Sequence, residues 1–135
     1  MDTLILITDF DLLLEDVVKW IDKSFDIKQE TGYVYFGNQT GRYVSIGHDN
    51  NIINEFEENE RNLFKSLIKE PSFFCIDGND FNYLKKVVSM FPDNLKILFH
   101  NDHNGILSKQ EFLNCKNYES FININNIKQA GSPVK

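Results

Sequence analysis

An α/β domain, or an α+β one, with a mixed sheet and packed helices is the fold class that this 135-residue chain predicts. Three observations predict it. Short apolar runs rich in Ile, Leu and Phe alternate with amphipathic stretches at helical spacing. The stretch from Ser72 to Asp102 reads apolar run, amphipathic run, apolar run, which is one β-α-β unit at about 72–102. Hydrophobic residues make up 41% of the chain and include 12 Phe, enough for one domain to fill a core without disulfides or a metal.

Taken in order, Thr3 to Ile7 is an Ile/Leu run and predicts a strand. Thr8 or Asp9 can cap a helix whose stripe is Phe10, Leu13, Leu14, Val17, Ile21 and Phe25. Gly32 to Phe36 and Arg42 to Gly47 are short, aromatic and β-branched, and Gly37-Asn38-Gln39-Thr40-Gly41 joins them as a hairpin. Tyr33, Val34, Tyr35 and Phe36 do not alternate cleanly, so their faces stay open. His48 to Asn54 reads as a loop. Glu55, Glu57, Glu58 and Glu60 lie at or before the start of a helix carrying Leu63, Phe64, Leu67 and Ile68, where negative charge suits the macrodipole.

In the central unit, Phe73 to Ile76 form a strand ending at Asp77-Gly78, and Asn79 or Asp80 caps the next helix. Phe81, Leu84, Val87, Val88 and Phe91 share one face of it, Pro92 and Asn94 stop it, and Leu95 to Phe99 make the following strand. Adjacent parallel pairing of these two strands is the expectation. His100 to Gly105 is a turn by composition, and Ser108 to Glu111 is a capping-box pattern before a brief helix at Phe112 and Leu113. Phe121 to Ile127 alternates Phe, Ile and Asn and predicts a last strand or extended tail, with about 129–135 frayed beyond it. No internal repeat or domain boundary interrupts residues 1–135.

The net charge of −6 argues against nucleic acid as a partner, since phosphate binding needs clustered Lys and Arg. It suits a basic partner, or a protein kept apart from its neighbours by charge. Cys75 and Cys115 make no disulfide framework, and Cys75 reads as a small buried hydrophobe. The opening MDTLILITDFD lacks the basic segment of a signal peptide, and no apolar run reaches membrane-spanning length. A cytoplasmic, reduced protein with no membrane partner is expected.

Three patterns invite a chemical reading. Asp9-Phe10-Asp11 after an apolar strand resembles the nucleophile motif of haloacid dehalogenase-type phosphatases, with Asp9 as nucleophile, Asp11 as acid/base and Asp77-Gly78-Asn79-Asp80 as metal loop. Leu12-Leu13 stands where that family has a Gly-Thr-like pair, and helix capping explains both carboxylates. His100 to Glu111 imitates a calcium loop through Asp102, Asn104, Gly105, Ser108 and Glu111, but His100 takes the first slot, where an oxygen is needed. His100, His103, Cys115 and His48 could be arranged as a zinc set, although residues i and i+3 of a strand face different ways. No catalytic residue, metal or cofactor is expected.

The plan of the chain and its C-terminal half, with the strand CIDG, a helix, the strand LKILFHND and then NGILSKQEFL, resembles the immunity proteins of bacterial contact-dependent growth inhibition and related polymorphic toxin systems. The resemblance implies a protein that binds the C-terminal domain of one cognate toxin, often a basic nuclease, and blocks its active site or substrate surface. Charge complementarity would then speed association. On that reading the toxin-binding candidates are Glu55, Glu57, Glu58 and Glu60, with Asp49, Asp77, Asp80 and Asp102 at strand ends and loops. Tyr33, Tyr35 and Tyr43 are the aromatic anchors, a residue type enriched in hot spots. Each of these has a plainer reading as a solvated charge or an ordinary sheet residue.

Overall fold

A computed structural model describes residues 2–9 and 12–127. Its strands are β1 (Asp2–Asp9), β2 (Asp26–Glu30), β3 (Tyr33–Gly37), β4 (Tyr43–His48), β5 (Pro71–Gly78), β6 (Ile97–His100) and β7 (Ile106–Leu107). Its α-helices are α1 (Leu14–Trp20), α2 (Glu58–Leu67), α3 (Phe81–Ser89), α4 (Lys109–Leu113) and α5 (Tyr118–Ile122), with a 3-10 segment at Asn50–Glu55. The strands form one sheet in the order β2-β3-β4-β5-β1-β6-β7, and every pairing is antiparallel. This is an α+β fold.

The β-α-β unit is present but split. β5 and β6 run parallel, yet β1 lies between them and pairs antiparallel with both. The reason lies in β1 itself. Leu4 and Leu6 point into one hydrophobic cluster and Ile5 and Ile7 into the other, all at most 1% exposed. A strand apolar on both faces belongs in the sheet centre, where both layers cover it.

The larger cluster lies under α1, α3, α4 and α5. It joins Leu4, Leu6, Phe74, Ile76 and Phe99 of the sheet to Leu84, Val87 and Val88 of α3. Phe112 of α4 stacks on Phe99 at 4.9 Å and meets Phe121 of α5 edge-on at 5.2 Å. On the opposite face Ile5, Ile7 and Phe73 pack against Ile52 and Phe64 of the 3-10 segment and α2 and against their C-cap residues, Phe56 and Ile68.

Several boundaries differ from the sequence expectation. Thr8 and Asp9 end β1 rather than cap a helix, and α1 starts later, where the Leu13 N–H donates to Asp16 Oδ2 at 2.9 Å. The stripe outlives the helix: Ile21 is the C-cap, and Phe25 reaches Tyr83 at 5.5 Å from beyond it, while Trp20, the last helical residue, packs on Phe91 at 5.2 Å. β2 carries one apolar residue, Ile27, packed against the core, and is otherwise exposed. Charge on such an edge strand discourages further pairing. The expected loop at His48 to Asn54 is the end of β4 and a 3-10 segment capped by Asp49, whose Oδ1 accepts from the Asn51 N–H at 3.2 Å.

Phe121 to Ile127, expected as a last strand or extended tail, forms no strand: Phe121 and Ile122 end α5 and an irregular segment follows. That segment still serves the sheet. Asn126 accepts from the Ile106 N–H at 2.8 Å and donates to the Ile106 carbonyl at 2.7 Å, so one side chain satisfies the free edge of β7. The tail at about 129–135 lies outside the described residues. The Ser108–Glu111 capping box holds: Ser108 N–H donates to Glu111 at 2.9 Å, and Glu111 N–H to Ser108 Oγ at 3.2 Å. Asp80, not Asn79, caps α3.

Tyr83 of α3 is 5% exposed, and among the described residues its hydroxyl is the buried side-chain polar atom without a hydrogen-bond partner. Burial raises its pKa, and the charges of Tyr35 and Asp26 add to that. Tyr83→Phe removes the unpaired hydroxyl and keeps the ring against Phe25. It should raise the unfolding free energy by about 1 kcal/mol in urea titration, and a loss of stability would show that the hydroxyl is satisfied.

Candidate functional site

Among the described residues, one sheet face is covered throughout by helices, but the other is covered only over β1, β5 and β6. Over β2, β3 and β4 that face presents Lys28, Tyr33, Tyr35, Tyr43 and Ser45, none of them buried and none in either hydrophobic cluster. Alternation explains the split. Val34 and Phe36 of β3, and Val44 and Ile46 of β4, point into the larger core, so their neighbours must point away from it.

Register then sets residues side by side. Lys28, Tyr35, Ser45, Asp77 and Thr3 form one row across five strands, about 19 Å long at the usual interstrand spacing. The next row runs Glu30, Tyr33, Gly47, Cys75 and Ile5, from solvent at the β2 edge to the core at β1. Thr3 and Asp77 are joined across β1 and β5 by a 2.8 Å hydrogen bond in which the hydroxyl donates.

The aromatic part of the surface is ordered. Tyr35 and Tyr43 stack with centroids 5.3 Å apart and planes within 15°. Gly37 sits opposite Tyr43 in register, and the Tyr35 ring lies over it. A Cβ at Gly37 would fall 2.9 Å from Tyr35 Cε1, so this glycine gives the ring its seat.

Cys75 marks the border between covered and open sheet. Its thiol is pushed up to about 11, first by burial and then by the carboxylates of Asp49, Asp77, Asp102 and Glu55. The thiol therefore stays protonated at neutral pH, which disarms it as a nucleophile. The same fact locates the charge. The carboxylates that act on Cys75 come from β5, the 3-10 segment, its cap and the turn after β6.

The sequence candidates thus separate into two groups. Tyr33, Tyr35, Tyr43 and Asp77 lie on the open half-face, while Asp49, Glu55 and Asp102 join Asp77 as the carboxylates that act on Cys75 at its border. Glu57 and Glu58 are exposed at the start of α2 and are not among the carboxylates acting on Cys75. Asp80 is engaged, capping α3 and pairing with Arg42 at 2.9 Å. Glu60 is turned inward to His100 Nε2 at 3.4 Å, its side chain 15% exposed, and burial raises its carboxyl pKa. Thr3, Lys28, Gly37 and Ser45 escaped the sequence reading. Tyr33, Val34, Tyr35 and Phe36 are all aromatic or apolar, so no clean period-two signal exposed them.

The chemical patterns come apart in space. β1 pairs Asp9 with Pro71 and Asp2 with Gly78, so Asp9 and the Asp77–Asp80 loop stand at opposite ends of a strand pair, about 24 Å apart. Asp11 lies outside the described residues. In the calcium-like loop, Ser108 and Glu111 cap α4 together, and His100 is buried among Phe56 and Phe64. Cys115 belongs to the opposite core from His100. Among the described residues, no group of three or more His, Cys, Asp or Glu is placed to hold a metal ion. No described helix is long and apolar enough to cross a membrane.

Fold and surface together define an α+β chain whose sheet is capped on one side and half open on the other. Compared with known proteins, it matches no family model, no curated protein and no solved structure.

Proposed function

We propose that the chain is an immunity protein that binds the C-terminal domain of a cognate bacterial toxin, a basic nuclease, and neutralises it by covering its active site or substrate surface. The observation that carries this reading is the open half-face. A sheet surface with three tyrosines and Asp77, bordered at Cys75, on which Asp49, Glu55 and Asp102 also act, combines aromatic anchors with negative charge. Tyrosine supplies contact area at low entropic cost, and the carboxylates steer a cationic partner and fix its orientation. The net charge of −6 has the same sign as the surface. The partner is a protein and not a nucleic acid, because the one cation of the central row, Lys28, is outnumbered by acids.

The test is co-expression with the C-terminal domain encoded immediately upstream. That domain alone should kill cells, and it should co-purify with this chain as a stable complex. Raising salt from 50 to 500 mM should slow association by about tenfold. The double reversal Asp77→Lys with Asp102→Lys should slow it by a similar factor, while Glu57→Lys with Glu58→Lys should have a smaller effect. A harmless neighbour, or a toxic one that does not co-purify, would end the reading.

A further inference from the structure

We propose that the stacked Tyr35–Tyr43 pair is the receptor for an arginine side chain of the partner. The inference rests on the reading of the chain as a protein-binding inhibitor and names the contact at its centre.

The pair has the geometry that a guanidinium requires. The two rings stack 5.3 Å apart and within 15° of parallel, which leaves outer ring faces for a guest, and Arg is planar, weakly hydrated and stacks on aromatic faces. The pair is preorganised, since Gly37 leaves room beneath Tyr35 and Tyr43 stacks against its ring. Beside it a recess of about 260 Å³ is lined by Lys28, Glu30, Tyr33 and Tyr35. Acid flanks the pair on both sides: Asp26 is level with Gly37 on β2, and Asp77 is level with Ser45 on β5. A guanidinium stacked on an outer ring face meets the carboxylates of Asp26 and Asp77 to either side, which outnumber the one ammonium level with Tyr35, that of Lys28.

Other occupants fit less well. A phosphate or carboxylate would face these acids with Lys28 alone to bind it. An apolar side chain would gain the ring faces but leave the flanking charges unanswered. Lysine offers a compact, strongly hydrated point charge that exploits a flat ring face poorly.

The experiment titrates the isotope-labelled full chain with hexaarginine and, separately, with hexalysine, following backbone amides by NMR. Hexaarginine should shift Lys28, Tyr35, Tyr43 and Ser45 and bind roughly fourfold tighter than hexalysine. Tyr35→Leu and Gly37→Ala, which keep the net charge, should abolish that preference and leave hexalysine affinity unchanged. Gly37→Ala retains both tyrosines and reports on the seat of the ring alone. Equal affinities for the two peptides, shifts confined to the start of α2, or a preference that survives both variants would overturn the inference. Co-purification with the toxin domain is read separately. If it persists without the arginine preference, the inference fails and the function stands. If it is absent while the preference holds, the function fails and the arginine receptor stands.

Discussion

Asn101→Ala should lower the unfolding free energy by about 3–5 kcal/mol, measured by urea denaturation. Asn101 is 0% exposed, and its amide is fully used. Oδ1 accepts from the N–H groups of His103 at 3.0 Å and Gly105 at 2.9 Å. Nδ2 donates to the carbonyls of Phe121 and Ile124, both at 2.9 Å. One side chain therefore shapes the turn after β6 and ties it to the segment beyond α5. Alanine leaves two donors and two acceptors without it, and unpaired buried groups cost far more than a hydrogen bond nets. Asn101→Asp should fare little better, because a carboxylate satisfies the two N–H groups but confronts the two carbonyls. Gly105→Ala attacks the same joint sterically: a Cβ there would stand 2.4 Å from Asn101 Nδ2 and 2.5 Å from the Ile124 carbonyl. A loss below 1 kcal/mol for Asn101→Ala would show that the C-terminal segment does not depend on this amide.

That joint also shows what the sequence could and could not disclose. Asn101 stood inside a stretch read as a turn, and the turn exists. The two carbonyls it meets lie 20 and 23 positions away, and no local pattern announces which carbonyls an amide will meet. The same limit explains β1. Its apolar run was legible as a strand, but pairing is a non-local choice, so its insertion between β5 and β6 was not. Local signals did well where local physics decides. The capping box at Ser108, the cap at Asp80 and the hairpin from β3 to β4 are set by short-range hydrogen bonds. β2 was missed because four of its five residues are polar, as an edge strand tolerates.

The surface was legible in its residue types and not in its arrangement. Tyr33, Tyr35 and Tyr43 were picked out singly, and only the register makes Tyr35 and Tyr43 neighbours over Gly37. The run from Glu55 to Glu60 was the densest charge in the sequence, yet the structure disperses it. Glu55 joins the carboxylates around Cys75, Glu57 and Glu58 stay at the helix start, and Glu60 goes to His100. A helix start turns successive residues to different sides, so density along the chain does not translate into density on a face.

Acid should destabilise the protein through His100, by about 2 kcal/mol between pH 7 and pH 5. His100 is 1% exposed, wedged edge-on against Phe56 at 4.8 Å and Phe64 at 5.8 Å. Its Nδ1 accepts from the Asp102 N–H at 2.9 Å, so the proton of the neutral ring sits on Nε2 and points to Glu60. A second proton would have to displace the Asp102 N–H. Burial, with a smaller contribution from the charge of His103, pushes the imidazole down to about 4. In the unfolded chain it titrates near its ordinary value of about 6.5. Below that pH the unfolded state takes up a proton that the folded state refuses, so stability is full above 6.5 and drains away as pH falls toward 4. Glu60 pulls the other way. Burial raises its carboxyl, so the folded state accepts a proton there before the unfolded state does, and acid relieves part of its cost. The His100 shift is the larger, and the net slope should follow it. His100→Phe keeps an aromatic ring against Phe56 and Phe64 but cannot titrate. Its unfolding free energy should be nearly flat between pH 7 and pH 5, or rise slightly toward acid as Glu60 protonates, whatever its absolute value. Parallel pH slopes for His100→Phe and the natural protein would assign the acid sensitivity to other groups.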